Sequence, residues 1–306
     1  MADTQIVKPI GLSSARPRAV GRRGRAVRYR LGRLVLYGVL LLGGAASLIP
    51  FAWMMSASLM TLGETVTRQL LPSVPRFENY VEAWQEANFT RYFLNSIVIS
   101  AVILAGQLST SILAGYAFAR IEFKGRSLIF SIMLSTLMIQ GMVTMIPNFL
   151  VVANRVPFIP LPGGSWLNTL QGITVPGMAS VFSIFLLRQF FAQIPWELWD
   201  AARIDGSGHN LFLVRVVLPL SKPAIFTVTV FVFIGAWNEF LWPLLVTTTE
   251  TWRPIMVGLY RFAEEAGPLM HLMMAGSMIT IVPILILYFL TQKQYTEGIA
   301  LTGLKG

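Results

Sequence analysis

The segment Trp237-Asn238-Glu239-Phe240-Leu241-Trp242 places one carboxylate and one amide inside an otherwise apolar run. Such groups suit a polar solute, because amides and carboxylates hydrogen-bond hydroxyl groups while aromatic rings pack against the apolar faces. An acid at membrane depth costs ~2.5 kcal/mol or more, so it usually marks a pathway or a buried pair. We therefore predict that Trp237, Asn238 and Glu239 line a solute pathway, with Gln140 as a weaker contributor.

Two other interpretations of this segment remain open. Trp237 and Trp242 could form an aromatic belt at a membrane surface, with Glu239 in the interface beside them. Alternatively, Glu239 could hydrogen-bond a second subunit. Gln140 fits packing as well as it fits a pathway.

Patterns that would indicate catalysis in this chain are missing. The sequence has no Gly-Lys pair and therefore no P-loop, and it has neither HExxH nor GxSxG. It has no cysteine, which excludes thiol nucleophiles and zinc ribbons. His209 and His271 fall in different predicted links, so no metal site is expected. We predict a non-catalytic chain that holds no cofactor of its own.

The composition indicates a membrane protein. Of 306 residues, 55% are hydrophobic and 12% are charged, whereas about a quarter of an average soluble domain is charged. Runs of ~20 apolar residues span a bilayer as helices. Six runs qualify, and they predict an all-α polytopic bundle of six transmembrane helices: Leu34–Met60, Phe93–Ala119, Leu128–Val152, Leu170–Leu187, Ala224–Val246 and Leu272–Leu290.

The basic residues set the predicted orientation. With six spans, 18 of the 24 Lys and Arg residues fall on the side of the N-terminus, which predicts that both termini are cytoplasmic. Many of them lie in residues 1–30, a predicted basic arm without fixed structure that contacts anionic lipid. No aromatic interleaving accompanies this arm, so no nucleic-acid partner is expected. Residues 31–306 form the predicted transmembrane domain.

The cytoplasmic link of residues 194–223, here named the coupling loop, predicts a helix, a tight turn and a second helix. Pro195 suits the first turn of a helix, and Gly206 and Gly208 are expected to end that helix. A second helix from His209 to about Val217 is expected to stop at Pro219. The loop also carries side chains that are too apolar for a solvated link, so we expect something to cover them: Trp196, Trp199, Leu211 and Phe212.

These residues carry a resemblance. Asp200-Ala201-Ala202, Asp205-Gly206 and Leu218-Pro219 resemble, in type and spacing, the "EAA" loop of binding-protein-dependent ABC importer permeases, with Asp200 where Glu is usual. Other stretches resemble the carbohydrate (maltose-type) class, and in particular its second permease subunit. They are Asn79-Tyr80, Asn95-Ser96, Ala114–Arg120 with Phe123-Lys124-Gly125, Trp237–Phe240 and Gly298–Gly306.

The resemblance implies a type I ABC importer permease fold and a complete set of partners. It implies a homologous permease subunit as heterodimer partner, two ATPase subunits that bind ATP and Mg, an extracytoplasmic solute-binding protein and a sugar substrate. The protein is then expected in a bacterial or archaeal cell (inner) membrane. Asp200, Ala201, Ala202, Asp205, Gly206, Leu218 and Pro219 would contact the ATPase.

Other functions predict different features. A secondary transporter commonly shows repeated halves and several buried charges, whereas this chain has no evident repeat and one acid in its apolar runs. A membrane scaffold explains the hydrophobicity but not the pattern from Asp200 to Pro219. A coupling loop that rests on lipid as an amphipathic hairpin is the remaining alternative for that segment.

Overall fold

Helices make up every regular element in the part of the chain that the structure, a computed structural model, describes: residues 22–67, 69–264 and 269–303. The predicted all-α class is confirmed. The α-helices are α1 (Arg22–Ser58), α2 (Leu62–Val66), α3 (Glu78–Glu86), α4 (Phe89–Arg120), α5 (Arg126–Ser135), α6 (Gly141–Val152), α7 (Leu170–Thr174), α8 (Val181–Gln193), α9 (Trp196–Ile204), α10 (His209–Phe212), α11 (Leu218–Leu220), α12 (Lys222–Asn238), α13 (Leu241–Val246), α14 (Ile255–Glu264) and α15 (Met270–Gly303).

The chain divides into two compact units, and the boundary falls inside α1, between Trp53 and Met54. In the first unit the described element is α1 itself, whose large apolar side chains from Leu34 to Phe51 are exposed. Such a helix needs an apolar environment around it. The chain is already helical at Arg22, the first described residue, which lies inside the predicted basic arm; arginine is a good helix former, and no proline follows Pro17 in that arm. Residues 1–21 of the arm lie outside the described residues.

Among its described residues, the second unit has two hydrophobic clusters, and both use α4 and α12. The first packs α4 and α12 against α8 and the coupling loop, with Leu187 and Val228 nearly fully buried. The second joins the other ends of α4 and α12 to α3, α14 and α15 around Phe89, Tyr92 and Trp237. The two helices therefore connect the coupling-loop end of this unit to its opposite end.

Membrane-spanning capacity is clear for three helices. Gly32–Ser58, Phe89–Arg120 and Met270–Gln292 are each long and apolar enough to cross a bilayer. Three bent helix pairs also qualify when each is taken as one span, which gives up to six in the described residues. The six-span count and the side of the termini stay predictions. His271 lies in the first turn of α15 and not in the link where we expected it.

The third predicted span, Leu128–Val152, is not one straight helix. Arg126–Met138 and Gly141–Val152 meet at an angle of 103°. Ile139 and Gln140 are both extended at the break, with ψ of 119° and 135°. A β-branched residue and Gly141 flank Gln140, and neither favours an unbroken helix.

The fifth predicted span, Ala224–Val246, is interrupted at Glu239 and Phe240, between α12 and α13. Pro243 explains the break, because in an unbroken helix its ring would clash with the carbonyl four residues earlier, which belongs to Glu239. Glu239 is extended instead, with φ −65° and ψ 122°. Glu239, the one acid within the predicted spans, therefore lies at a helix break.

The link before α4 contains two short helices, α2 and α3. A capping box starts α2, in which the Thr61 hydroxyl accepts from the Glu64 backbone and the Glu64 carboxylate accepts from the Thr61 backbone at 2.8 Å. The backbone N–H groups of Thr61 and Ser73 lower the pKa of Glu64 to about 2. Asn79 ties α3 to the end of α1 by donating to the carbonyls of Ser58 and Met60.

Candidate functional site

The first half of the coupling loop is a helix that a glycine ends. Pro195 caps α9, and Glu197 lies in its first turn, where the helix dipole favours an acid. At the other end, Gly206 N–H donates to Arg203 O at 3.0 Å and Ser207 N–H donates to Ala202 O at 2.8 Å. These two bonds define a Schellman motif, and Gly206 takes the left-handed conformation that it requires, with φ +78°. The predicted stop at Gly206 is confirmed.

The second half of the loop differs from the prediction at Pro219. The chain is helical from His209 through Leu220, because a π-helical segment, Leu213–Val217, joins α10 to α11. Pro219 was expected to end this helix and does not. The wider π turn changes the carbonyl that faces the proline ring and so removes the usual clash. The helix ends instead at Ser221, where the chain turns 81° into α12.

The predicted ATPase-contacting residues differ in their exposure on the loop. Asp200, Ala201, Asp205, Gly206 and Pro219 are exposed, whereas Ala202 and Leu218 are half-buried and pack on the first hydrophobic cluster. Ile204, the last residue of α9, is 86% exposed, the highest exposed fraction among the large apolar side chains of the loop. The loop therefore presents a mixed acidic and apolar surface around its turn.

Part of the apolar surface that we expected to need a partner is covered by the chain itself. Phe212 is buried, and Trp199 packs on it with ring centroids 5.0 Å apart. Trp196 and Leu211 stay about half exposed. The loop is thus fixed to the helix bundle by Trp199 and Phe212, and a smaller apolar surface than expected faces outward.

Two residues of the Ala114–Arg120 stretch, for which the sequence predicted no contact with the loop, hold the loop to α4. Arg120 donates from Nε to Phe191 O at 3.0 Å and from Nη2 to Ile194 O, at the end of α8. Tyr116 Oη lies 2.9 Å from Nδ1 of His209, at the start of α10. A polar residue at the end of an apolar run was the available signal, but nothing in the run indicates its distant partners.

A cavity of about 460 Å³ lies between α4, α6, α7, α8 and α12. Its polar groups come from Gln107, Asn148, Ser180, Ser183 and Glu239, and its aromatic faces come from Phe182, Phe231 and Trp242. Gln107 Nε2 donates to Ser183 Oγ at 2.9 Å across the α4–α8 contact. A mostly apolar lining with a few amide, hydroxyl and carboxylate groups matches the surface of a sugar-sized solute.

The predicted pathway residues do not all meet in this cavity. Glu239 lines it, and its Oε1 accepts from the Trp242 backbone at 3.2 Å. Gln140 and Asn238 are exposed at helix breaks beside it and are not part of its lining. Trp237 is 1% exposed and donates to Thr280 O on α15, so it packs in the second cluster and faces neither the cavity nor an aromatic belt.

The chain is similar to known transport proteins over most of its length. Residues 111–295 match the family described as "Binding-protein-dependent transport system inner membrane component". The chain is 35% identical over 282 residues to the trehalose/maltose transport system permease protein of Thermococcus litoralis, covering 89% of this chain and 98% of that one. It is 31% identical over 277 residues to the diacetylchitobiose uptake system permease protein of Streptomyces coelicolor, covering 87% of each.

A solved structure agrees with this family at the level of the fold. The fold is similar to that of a chain in a bacterial ABC transporter that imports the acidic polysaccharide alginate, with a TM-score of 0.73 and 23% identity. The match covers 89% of this chain and 98% of that chain.

Proposed function

The chain belongs to the family of binding-protein-dependent transport system inner membrane components, and on that premise we propose that it is the permease subunit of an ATP-driven ABC importer of sugars or short oligosaccharides. In this role it is a passive membrane gate. A separate ATPase subunit supplies the energy, which accords with the lack of a P-loop in the sequence.

One observation carries this proposal: the coupling loop is joined at both ends to helices that line the cavity. Its first helix follows α8, which contributes Phe182 and Ser183 to the cavity, and its last helix leads into α12, which contributes Phe231. A force on the loop is therefore applied directly to two cavity walls. Because helices are stiff, displacement of the loop changes the shape of the cavity and not only the loop.

The proposed partners follow from the same architecture. The exposed turn around Asp200 and Gly206, with Ile204 beside it, suits insertion into a groove of an ATPase subunit. Two such subunits would bind ATP and Mg, and a homologous permease would complete the membrane heterodimer. An extracytoplasmic solute-binding protein would deliver the sugar. The protein would lie in a bacterial or archaeal cell membrane, with lipid around the exposed leucines of α1.

Co-purification tests this proposal against the alternatives. The tagged chain, expressed with its neighbouring transport components and extracted in mild detergent, is expected to bring down an ATPase and a second permease. The assembled complex should hydrolyse ATP faster when a sugar-loaded binding protein is added. A chain that purifies without an ATPase and still transports sugar would instead be a secondary transporter.

We propose that Glu239 acts in the solute pathway through its charge. Glu239→Gln keeps an acceptor for the Trp242 backbone, so the helix break should persist while the negative charge is lost. Hydrogen bonds to charged groups contribute about 1.5–3 kcal/mol, so sugar uptake below saturation should fall about tenfold. Glu86→Gln changes an exposed acid on α3 that does not line the cavity, so it is the matched control and should leave uptake unchanged. Normal uptake by Glu239→Gln would show that the charge of Glu239 has no role in the pathway.

The proposed orientation places the coupling loop in the cytoplasm and residues 153–169 outside. The chain has no cysteine, so single cysteines can be labelled without background. Ile204→Cys and Phe158→Cys occupy positions that are 86% and 93% exposed. In intact spheroplasts a membrane-impermeant maleimide should label Phe158→Cys, and it should label Ile204→Cys only after the membrane is opened. The reverse pattern would place the coupling loop outside the cell and contradict the proposed function.

A further inference from the structure

The loop end of α4 carries two buried polar side chains, Tyr116 and Arg120, one helical turn apart. Each is 4% exposed. Residues four apart lie on the same face of a helix, so both side chains leave α4 in the same direction. That direction leads to the coupling loop, which Arg120 reaches near its beginning and Tyr116 reaches at its second helix.

Arg120 fastens three elements with one guanidinium group. Nε donates to the carbonyl of Phe191 in the last turn of α8, and Nη2 donates to the carbonyl of Ile194, the residue that follows α8; carbonyls at a helix end lack intrahelical donors. The guanidinium also lies over the Trp196 ring, 4.7 Å from its centroid, at the first residue of α9. Arg120 therefore joins α4, α8 and the entry of the coupling loop in a single contact.

Tyr116 makes the second attachment. Its hydroxyl is within hydrogen-bond distance of His209, and the His209 ring stacks on Trp199 with centroids 4.3 Å apart. His209 is the first residue of α10 and Trp199 lies in the middle of α9. The Tyr116 contact thus reaches α10, which follows the turn at Gly206, and through the His209 ring it also reaches α9, which precedes that turn.

These contacts are specific in geometry. Hydrogen bonds depend on distance and angle, so they resist sliding, whereas an apolar contact permits one surface to slip over the other. Arg120 Nη1 is buried and, among the described residues, has no hydrogen-bond partner. Arg120 also lines a polar cavity of about 530 Å³, and Glu122 and Asp200 are among the other lining residues. The guanidinium therefore has a further donor available if the loop changes position.

We infer that Tyr116 and Arg120 are positioning residues that transmit movement of the coupling loop to α4, a third wall of the solute cavity. This inference rests on the proposed function and adds a second mechanical connection between the coupling loop and the solute cavity. The chain connects the loop covalently to α8 and α12, and the two side chains connect it to α4, which contributes Gln107 to the cavity. All three walls then move with the loop.

The experiment compares transport with ATP hydrolysis in the complete complex. Wild type, Arg120→Met, Arg120→Lys and Tyr116→Phe are reconstituted into proteoliposomes with their permease and ATPase partners. Sugar uptake and ATP hydrolysis are measured in the same samples. Lys124→Met, an exposed cation in the link after α4, is the matched control for loss of a positive charge.

Loss of the link should lower the amount of sugar imported per ATP hydrolysed, while the ATPase stays bound and active. We expect about a tenfold decrease for Arg120→Met, which loses two hydrogen bonds with a charged donor, and about a threefold decrease for Tyr116→Phe, which loses one. Arg120→Lys keeps a charged donor and should recover part of the ratio. Lys124→Met should match wild type.

Other outcomes separate the inference from its premise. A wild-type ratio of sugar to ATP in Arg120→Met overturns the inference. If the complex with Arg120→Met does not assemble, Tyr116→Phe and Arg120→Lys provide the test, because each retains most of the packing. A wild-type ratio of sugar imported to ATP hydrolysed in both variants also overturns the inference. If even the wild-type chain does not bind an ATPase, the proposed function fails first.

Discussion

Replacing Gly206 by proline is expected to abolish sugar uptake while the chain still reaches the membrane. Gly206 has φ +78°, whereas proline fixes φ near −65° and removes the N–H that donates to Arg203 O. The Schellman motif that ends α9 cannot form, so Asp200 and Ile204 lose their position relative to α10. The apolar runs lie elsewhere in the chain, and their insertion should not change.

A graded series distinguishes turn geometry from general damage. Gly206→Ala meets no neighbouring atom and tests only the left-handed conformation, which costs other L-residues about 1–2 kcal/mol. Gly206→Asn should be milder, because asparagine tolerates this conformation. Gly208→Ala is the matched control, since Gly208 is extended with φ −87° and also has open space around its Cβ position. Uptake and ATPase co-purification should be highest for Gly208→Ala and should then decrease through Gly206→Asn and Gly206→Ala to the lowest value for Gly206→Pro. Normal uptake by Gly206→Pro would reject the coupling role.

Replacing Gly115 by leucine is expected to separate α4 from α8 and to destabilise the protein. A Cβ atom at Gly115 would lie 3.2 Å from the backbone nitrogen of Arg188 and 3.2 Å from Leu187 Cβ. Backbone atoms cannot move aside as a flexible side chain can, so a larger side chain forces the two helices apart. Overpacking of this kind costs about 1–3 kcal/mol or more.

Separation of α4 from α8 should also disturb the attachment of the coupling loop and the solute cavity, because Arg120 and Gln107 hydrogen-bond across the same pair of helices. The apparent melting temperature of the purified complex should fall by about 5 °C or more. Gly44→Leu makes the same change on α1, where nothing lies within 4 Å of the Cβ position, and should have little effect. Equal stability of the two variants would show that the close approach at Gly115 is not needed.

The turn of the coupling loop could be predicted because its causes are local. Gly206 is needed at the position where the Schellman motif requires a left-handed residue, and Glu197 follows the helix start after Pro195. The stop at Pro219 could not be predicted correctly. A proline ends an ordinary α-helix, but the π-helical segment that accommodates Pro219 depends on how Leu213 and Val217 pack against the bundle.

The solute cavity was less predictable because tertiary packing determines it. Trp237 and Glu239 are only two residues apart, yet Trp237 stacks on Phe233 and meets Phe93 edge to face in the second cluster, while Glu239 lines the cavity. The break at Glu239 separates their directions, and it depends on Pro243, four residues later. Gln107 was the polar signal inside the second predicted span that could have indicated the cavity.

The attachment of the loop to α4 could not be inferred from any local pattern. Arg120 bonds to a carbonyl 71 residues away, and Tyr116 contacts a histidine 93 residues away. Both look like the ordinary polar end of an apolar run, because helical periodicity describes neighbours on the same helix and not contacts between helices.

Uptake by sealed proteoliposomes is the most direct test of the claim that this chain is a gate moved by another subunit's ATP hydrolysis. Vesicles that contain the chain, its partner permease and the ATPase subunits, with ATP inside and sugar-loaded binding protein outside, should accumulate sugar against its gradient. Vesicles that contain the chain alone should not, with or without ATP. Accumulation against a gradient by the chain alone would contradict the account.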